Sequence, residues 1–271
     1  MSVTLKYIRK THYRGQRKKM KQFWFDMDDW LRNPYSCFKA RFYIETSAII
    51  VFFVQYTKIT PNLLTFICTF LGILSGIFLA SNNQNLIFIS LLILFSKNSI
   101  DWADGLLARV KKQTSTLGAM LDDWAALVSS YSYLIGLGIY LYHKNGDEFF
   151  IILTFFIIII KAIDIKDFAY HYSMYEIVNS KKKFSKSNNV KKNNKYGVSN
   201  NLILLKNFFQ NFLDERSRTV DLICLLIFID TFYIRIEIIE YIYYLIFLKY
   251  FVIFGGGFYI TYFKNFLPKL K

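Results

Sequence analysis

The sequence predicts an all-α integral membrane protein of six transmembrane helices preceded by an amphipathic juxtamembrane helix, and three observations predict it. Several apolar runs approach or exceed the roughly 20 residues that a helix needs to cross a bilayer. Of the 271 residues, 54% are hydrophobic and 19% aromatic, and the mean hydropathy of +0.27 is too apolar for a soluble domain of this size. The formal charge of +15 sits in segments flanking the apolar runs, where anionic lipid headgroups lie. That placement points to a membrane partner and no nucleic acid. Cys37, Cys68 and Cys224 lie in or beside apolar segments without metal-like spacing, and read as small buried hydrophobes, not disulfides.

Residues 1 to about 22 are basic and lack an apolar core, so they read as a cytoplasmic anchor instead of a cleavable signal. Gln22 to Leu31 mixes aromatics with acids, which suits a helix lying at the interface, and Asn33-Pro34 breaks it. Phe38 to Thr57 is apolar for only about sixteen residues, short for a span, and contains Arg41, Glu45 and Gln55, so it is assigned as juxtamembrane. Pro61 to Ser81 is the first span, with proline at the start, where its missing N–H costs nothing. Asn82 to Asn85 turns the chain, and Leu86 to Val110 forms the second span, carrying Asp101 to Arg109 at its far end. Leu117 to Tyr142 is the third span and Phe149 to Tyr170 the fourth. Residues 171 to 217 are rich in Lys and Asn, a composition that cannot bury a core and reads as a mobile loop. Thr219 to Tyr233 and Ile238 to Phe263 are the fifth and sixth spans, the last loosened by Gly255-Gly256-Gly257. The domain reading is therefore 1–59, a cytoplasmic basic tail with juxtamembrane helices, and 60–271, a six-span membrane domain.

Charge fixes the expected topology. Residues 1–41 hold eleven Lys or Arg and 181–216 hold nine, whereas the turns near 82–85, 143–148 and 234–237 hold only Lys144 and Arg235. By the positive-inside rule, both termini, the long loop and the acidic stretch face the cytoplasm of a multi-pass protein of the cell membrane.

That acidic stretch, Ile100 to Leu127, carries the chemistry. As a helix, Asp101, Asp104, Gly105, Ala108 and Arg109 share one face, with Trp102, Ala103, Leu106 and Leu107 opposite. Gly118 and Asp122 are again four apart on a following helix. Acids at the end of an apolar helix need cations, metal or water, and three with no matching basic cluster on their own face suggest a divalent metal. Oxygen-only ligands favour Mg²⁺ or Mn²⁺ over zinc. Gly105 admits a ligand close to the backbone, and Arg109 suits a phosphate by paired hydrogen bonds.

The string Asp101-x-x-Asp104-Gly105-x-x-Ala108-Arg109, eight residues, Gly118-x-x-x-Asp122-x-x-x-Ala126 resembles the signature of the CDP-alcohol phosphotransferase family at seven of its eight fixed positions. Thr60-Pro61-Asn62-Leu63-Leu64-Thr65 is similar to that family's entry to its first membrane helix. The resemblance implies attack of an alcohol hydroxyl on the β-phosphate of a CDP-alcohol, with release of CMP, in phospholipid synthesis. It implies Asp101, Asp104 and Asp122 as ligands of a two-metal Mg²⁺ or Mn²⁺ site. It places Gly105, Ala108, Arg109, Ser115 and Gly118 around the CDP-alcohol, with Asn62 and Thr65 closing the other side. A homodimer is also expected by resemblance.

The departure is Ala126, where the family holds the aspartate that serves as general base and helps bind the second metal. A methyl group does neither, and Asp123 lies about 100° round the helix from Asp122, so it is no simple replacement. An engineered inactivating substitution or natural loss of the base would each give this pattern; the seven intact positions fit the first better. The chain as written is expected to bind metal and nucleotide, with the second metal weakened, and to turn over little. For the acceptor, a lipid or small alcohol, Arg216, Arg218 and Asp221 are candidates, but the arginines equally suit headgroup anchoring. Asp164, Asp167 and His171 either line the pocket or end the fourth span. Two rivals remain: a catalytically dead lipid- or nucleotide-binding membrane protein, and a small transporter using the acids as an ion path, with Asp230 buried without a neighbour.

Overall fold

The computed structural model describes residues 4–22, 27–28, 30–31, 34–163 and 217–263, and within them the regular secondary structure is helical throughout. The helices are α1 Leu5–Gln22, α2 Pro34–Val54, α3 Pro61–Leu79, α4 Gln84–Ser96, α5 Asn98–Val110, α6 Thr116–Asn145, α7 Phe149–Ala162, α8 Ser217–Phe232 and α9 Ile238–Phe263. Four stretches are long and apolar enough to cross a membrane: Pro61–Leu79, Gln84–Val110, Thr116–Asn145 and Ile238–Gly256. The expected fourth and fifth spans are helical too, but the described lengths are 14 and 16 residues.

The chain forms two compact units, residues 1–150 with 215–236, and residues 151–214 with 237–271. In the first, α3 and α6 run side by side in the same direction, and small residues make the contact. A Cβ added at Gly72 would lie 2.2 Å from Ser129 Oγ, one at Gly76 2.3 Å from the Ser132 carbonyl oxygen, and one at Gly136 2.5 Å from the Gly76 carbonyl oxygen. The pair Gly72 and Gly76, four apart, is the small-xxx-small spacing that lets membrane helices approach backbone to backbone. Ser132 Oγ adds a hydrogen bond to the Ile73 carbonyl at 3.1 Å. On the other side of α3, Ser90 of α4 donates to the Ser75 carbonyl at 2.7 Å.

The second expected span is two helices meeting at Lys97. Cys68 of α3 donates its thiol proton to the Lys97 carbonyl at 3.6 Å, a carbonyl that also accepts from the Ile100 and Asp101 N–H groups. The second helix, α5, packs beside α2: Thr46 donates to Ser99 Oγ at 2.8 Å, and Lys111 holds the carbonyls of Thr57 and Ile59 at 2.9 and 2.8 Å. At the other end of α2, Lys39 is only 2% exposed and pairs at 3.0 Å with Asp221 of α8, itself 8% exposed. Lys39 also lies 3.2 Å from the Phe95 ring centroid, and the Tyr35 hydroxyl donates to Asp221. Burial holds the Lys39 ammonium below its ordinary pKa, against the pull of Asp221.

Two readings of the N-terminal region change. The basic segment is helix α1, docked antiparallel on α2, because Ile8 packs with Ala48, Val51, Ala103, Leu106 and Leu107, and its Arg, Lys and Gln side chains are good helix formers. Arg9 Nη2 and the Tyr13 hydroxyl both reach Glu45 Oε1, at 2.6 and 2.9 Å. Of the expected interfacial helix Gln22 to Leu31, the described residues 27–28 and 30–31 form turns. Asp28 there is shared by Arg17 and Arg41, at 3.3 and 3.2 Å, so this acid bridges α1 and α2.

At the opposite end of this unit, Asp230 has neighbours after all. Lys144 pairs with it at 3.0 Å, the two side chains 7% and 5% exposed, and Tyr140 donates to its second oxygen. In the second unit, α7 and α9 are joined by a 2.6 Å hydrogen bond between Thr154 and Tyr243.

Candidate active site

Two helix N-termini, those of α3 and α6, open onto the same layer. Thr60 caps α3, accepting from the Leu63 N–H at 3.3 Å, with Pro61 at the first helical position. Ser115 caps α6 in the same way, accepting from the Gly118 N–H at 3.0 Å. Because the helices run parallel, these caps meet: a Cβ at Gly118 would sit 3.2 Å from Ser115 Oγ and 3.4 Å from Asn62 Oδ1. The structure thus brings together Asn62, Ser115 and Gly118, three of the expected donor-site residues, at two helix N-termini whose dipoles favour an anion.

The acids come from α5 and α6. Asp104 is 6% exposed, and its Oδ2 accepts from Thr65 Oγ1 at 2.6 Å. Asp101 is half-buried and Asp122 exposed. The charges of Asp101, Asp104 and Asp122 all reach Cys68 of α3, and that of Asp122 reaches Asp104. Among the described residues, no group of three or more His, Cys, Asp or Glu side chains is close enough as it stands to hold a metal ion. The donor set nonetheless has the right chemistry for a hard divalent cation, being carboxylate oxygen throughout.

Arg109 lies one turn beyond Gly105 and folds back over it. A Cβ at Gly105 would stand 3.5 Å from Arg109 Nη1 and 4.0 Å from Nη2, which is ordinary contact, so no crowding in the fold demands glycine there. What glycine leaves is open backbone beside a guanidinium. Asp104 is the acid whose charge reaches Arg109. Ala108 is half-buried on the same helix, and Ala126 presents an exposed methyl one turn past Asp122.

Of the acceptor candidates, Asp164, Asp167, His171 and Arg216 lie outside the described residues, as does the Arg218 side chain. Asp221 is engaged with Lys39 and Tyr35. Sequence reasoning missed His12, which is 2% exposed and stacks on Trp102 with ring centroids 5.9 Å apart. Burial, and then the charge of Arg109, push its imidazole down to about 4. The signal was present: Leu5, Ile8 and His12 fall at i, i+3 and i+7 on one face of the basic segment.

No curated protein matches the sequence. Residues 58–192 match the family model described as CDP-alcohol phosphatidyltransferase, a range that begins just before the Thr60 cap and contains every acid and glycine of the site. By those residues, the chain belongs to the CDP-alcohol phosphatidyltransferase family.

Proposed function

We propose that the chain is a membrane phosphotransferase site for a CDP-alcohol, CDP-diacylglycerol or a similar donor, that binds its donor but is impaired in turnover by Ala126. The family's reaction is phosphotransfer from a CDP-alcohol in phospholipid synthesis, with divalent metal ions. The observation that supports the reading is Asp104 held by Thr65 at 2.6 Å on the helix whose Arg109 lies over Gly105, with the caps of α3 and α6 meeting at Asn62, Ser115 and Gly118.

Each part has a task. The acceptor hydroxyl oxygen bonds to the β-phosphorus, the bond from that phosphorus to the CMP oxygen breaks, and CMP leaves with the electron pair. Such transfers need positioning and charge neutralisation more than covalent help. Asp101, Asp104 and Asp122 would hold Mg²⁺ or Mn²⁺, which when bound neutralises the diphosphate and the leaving CMP. Thr65 fixes the posture of Asp104 as an outer-shell donor, in the way ligating carboxylates are commonly oriented. Arg109 offers its fork to a phosphate oxygen above Gly105, and Ser115, Gly118 and Asn62 form the opposite wall, with Ala108 leaving room between. What is missing is a group to take the acceptor's proton: the Ala126 methyl has no basic atom.

The site is read as cytoplasmic, with both termini, and the protein as a homodimer; the charge asymmetry supports the first and family resemblance the second. A catalytically dead donor-binding protein is favoured over a transporter, since the buried Asp230, near the end of α8, is matched by Lys144. The test is isothermal titration of the purified protein with CDP-diacylglycerol and CDP-choline, each with Mg²⁺ and with EDTA. Metal-dependent binding of one donor is expected; no binding to folded protein, native or Ala126→Asp, would refute the reading.

A further inference from the structure

Nothing in the reaction above uses His12, yet it is among the most buried polar side chains in the first unit. Its Nε2 lies 3.3 Å from the side-chain amide of Gln16, while Nδ1 is buried with no hydrogen-bond partner among the described residues. A buried polar atom left unmatched is destabilising, so its presence calls for a reason.

The surroundings supply one. The imidazole stacks nearly flat on Trp102, the planes 12° apart. Leu5 and Ile8 join the apolar cluster of Leu106, Leu107 and Val110, so α1 runs antiparallel along α5 with His12 level with Trp102. Arg109 is seven residues beyond Trp102, which the face reading above sets opposite the acids, so at about 100° per residue the two side chains lie within about 20° of one stripe, two turns apart. Its side chain leans back toward the helix N-terminus, as helical side chains do, which brings the guanidinium over Gly105 and toward the level of His12. The Arg109 charge is felt at the imidazole.

We propose that His12 is a positioning residue for Arg109: clamped by Trp102, the neutral imidazole offers Nδ1 as an acceptor to the guanidinium and holds it over Gly105, facing the donor's diphosphate. In that tautomer Nε2 carries the proton, and the Gln16 amide, whose two ends interchange by a half-turn, receives it through its carbonyl oxygen. The basic N-terminal helix thereby becomes one wall of the site instead of an anchor alone. The inference deepens the donor-site reading and rests on Arg109 being its phosphate-holding cation.

The test titrates CDP with Mg²⁺ into the full chain and into His12→Phe, His12→Asn, Arg109→Ala and His12→Phe with Arg109→Ala. Phenylalanine keeps the stack and loses the nitrogen, whereas asparagine keeps an acceptor. His12→Phe should bind CDP ~10-fold more weakly and His12→Asn within ~3-fold of the parent, the scale of one lost hydrogen bond to a charged group. The double variant should bind no more weakly than Arg109→Ala alone. Parental affinity in His12→Phe, or equal losses in the Phe and Asn variants, would overturn the proposal. A second measurement does not depend on nucleotide: the rate at which phenylglyoxal modifies Arg109, read by peptide mass spectrometry. It should rise in His12→Phe but not in His12→Asn, and an unchanged rate would overturn the role of His12. If the rate changes as expected while the parent binds no CDP, His12 still positions Arg109 and the donor-site reading alone fails.

Discussion

Thr65 sits one turn into α3 and determines how Asp104, across on α5, presents its carboxylate. The 2.6 Å bond between them joins residues 39 apart in sequence, so spacing could mark both as site residues but not show that one orients the other. Thr65→Val should leave the fold intact and weaken Mg²⁺-dependent CDP binding ~10-fold, in line with loss of an outer-shell partner; calorimetry reads it directly. Glu45 and His12 give the pH dependence of α1 docking. Burial pushes the Glu45 carboxyl up, but the hydrogen bonds from Arg9 and Tyr13 outweigh it and leave its pKa lowered; that pair is partly exposed and adds little. His12 is lowered to about 4. A lowered pKa means stability complete above the unfolded value and lost as pH falls, so docking should hold at pH 7 and weaken between about 6.5 and about 4, by about 3 kcal/mol in all. Hydrogen exchange in α1 should quicken across that window and stay unchanged in His12→Phe apart from the small Glu45 share.

Among the elements, α3 and α6 depend on closeness. The Gly72 and Gly76 spacing was in plain view in the sequence, but the partner that makes glycine necessary, Ser129, Ser132 and Gly136 of α6, lies on a helix more than fifty residues away. Gly76→Leu drives a side chain into the Ser132 carbonyl and should cost about 3 kcal/mol, seen as a lower melting temperature in detergent. Gly105→Ala, where contact is ordinary, should melt at or above the parent and yet bind CDP less tightly, separating a glycine needed for packing from one needed for a ligand. The Lys39 and Asp221 pair joins α2 to α8, and removing one charge leaves the other buried. Lys39→Met should destabilise by about 3–5 kcal/mol, and Lys39→Met with Asp221→Leu should recover most of it. None of this was legible from sequence, because Lys39 reads as an interfacial cation until Phe95 and Asp221 are seen around it. The docking of α1 was hidden for a related reason: its charges dominate composition, while three residues on one face decide that it docks.

At the scale of the molecule, the long apolar runs gave the helical class, and the acid string gave the family, because period and spacing are local properties of a chain. The pairing of Asp230 with Lys144 was not local, because it joins two helices far apart in the chain. The parallel α3 and α6 explain why one signature half lies on α5 and the other on α6 yet both face Asn62 and Thr65. The same arrangement leaves position 126 one turn from Asp122, where a carboxylate would complete the site. The most direct measurement is therefore CMP release from CDP-diacylglycerol and CDP-choline, with Mg²⁺ and a panel of alcohol acceptors, by the native chain and by Ala126→Asp. Negligible release by the native chain and clear release by Ala126→Asp is the predicted result. Robust release by the native chain, or none by a folded Ala126→Asp protein that binds donor, would contradict the claim that this is a phosphotransferase site lacking only its base.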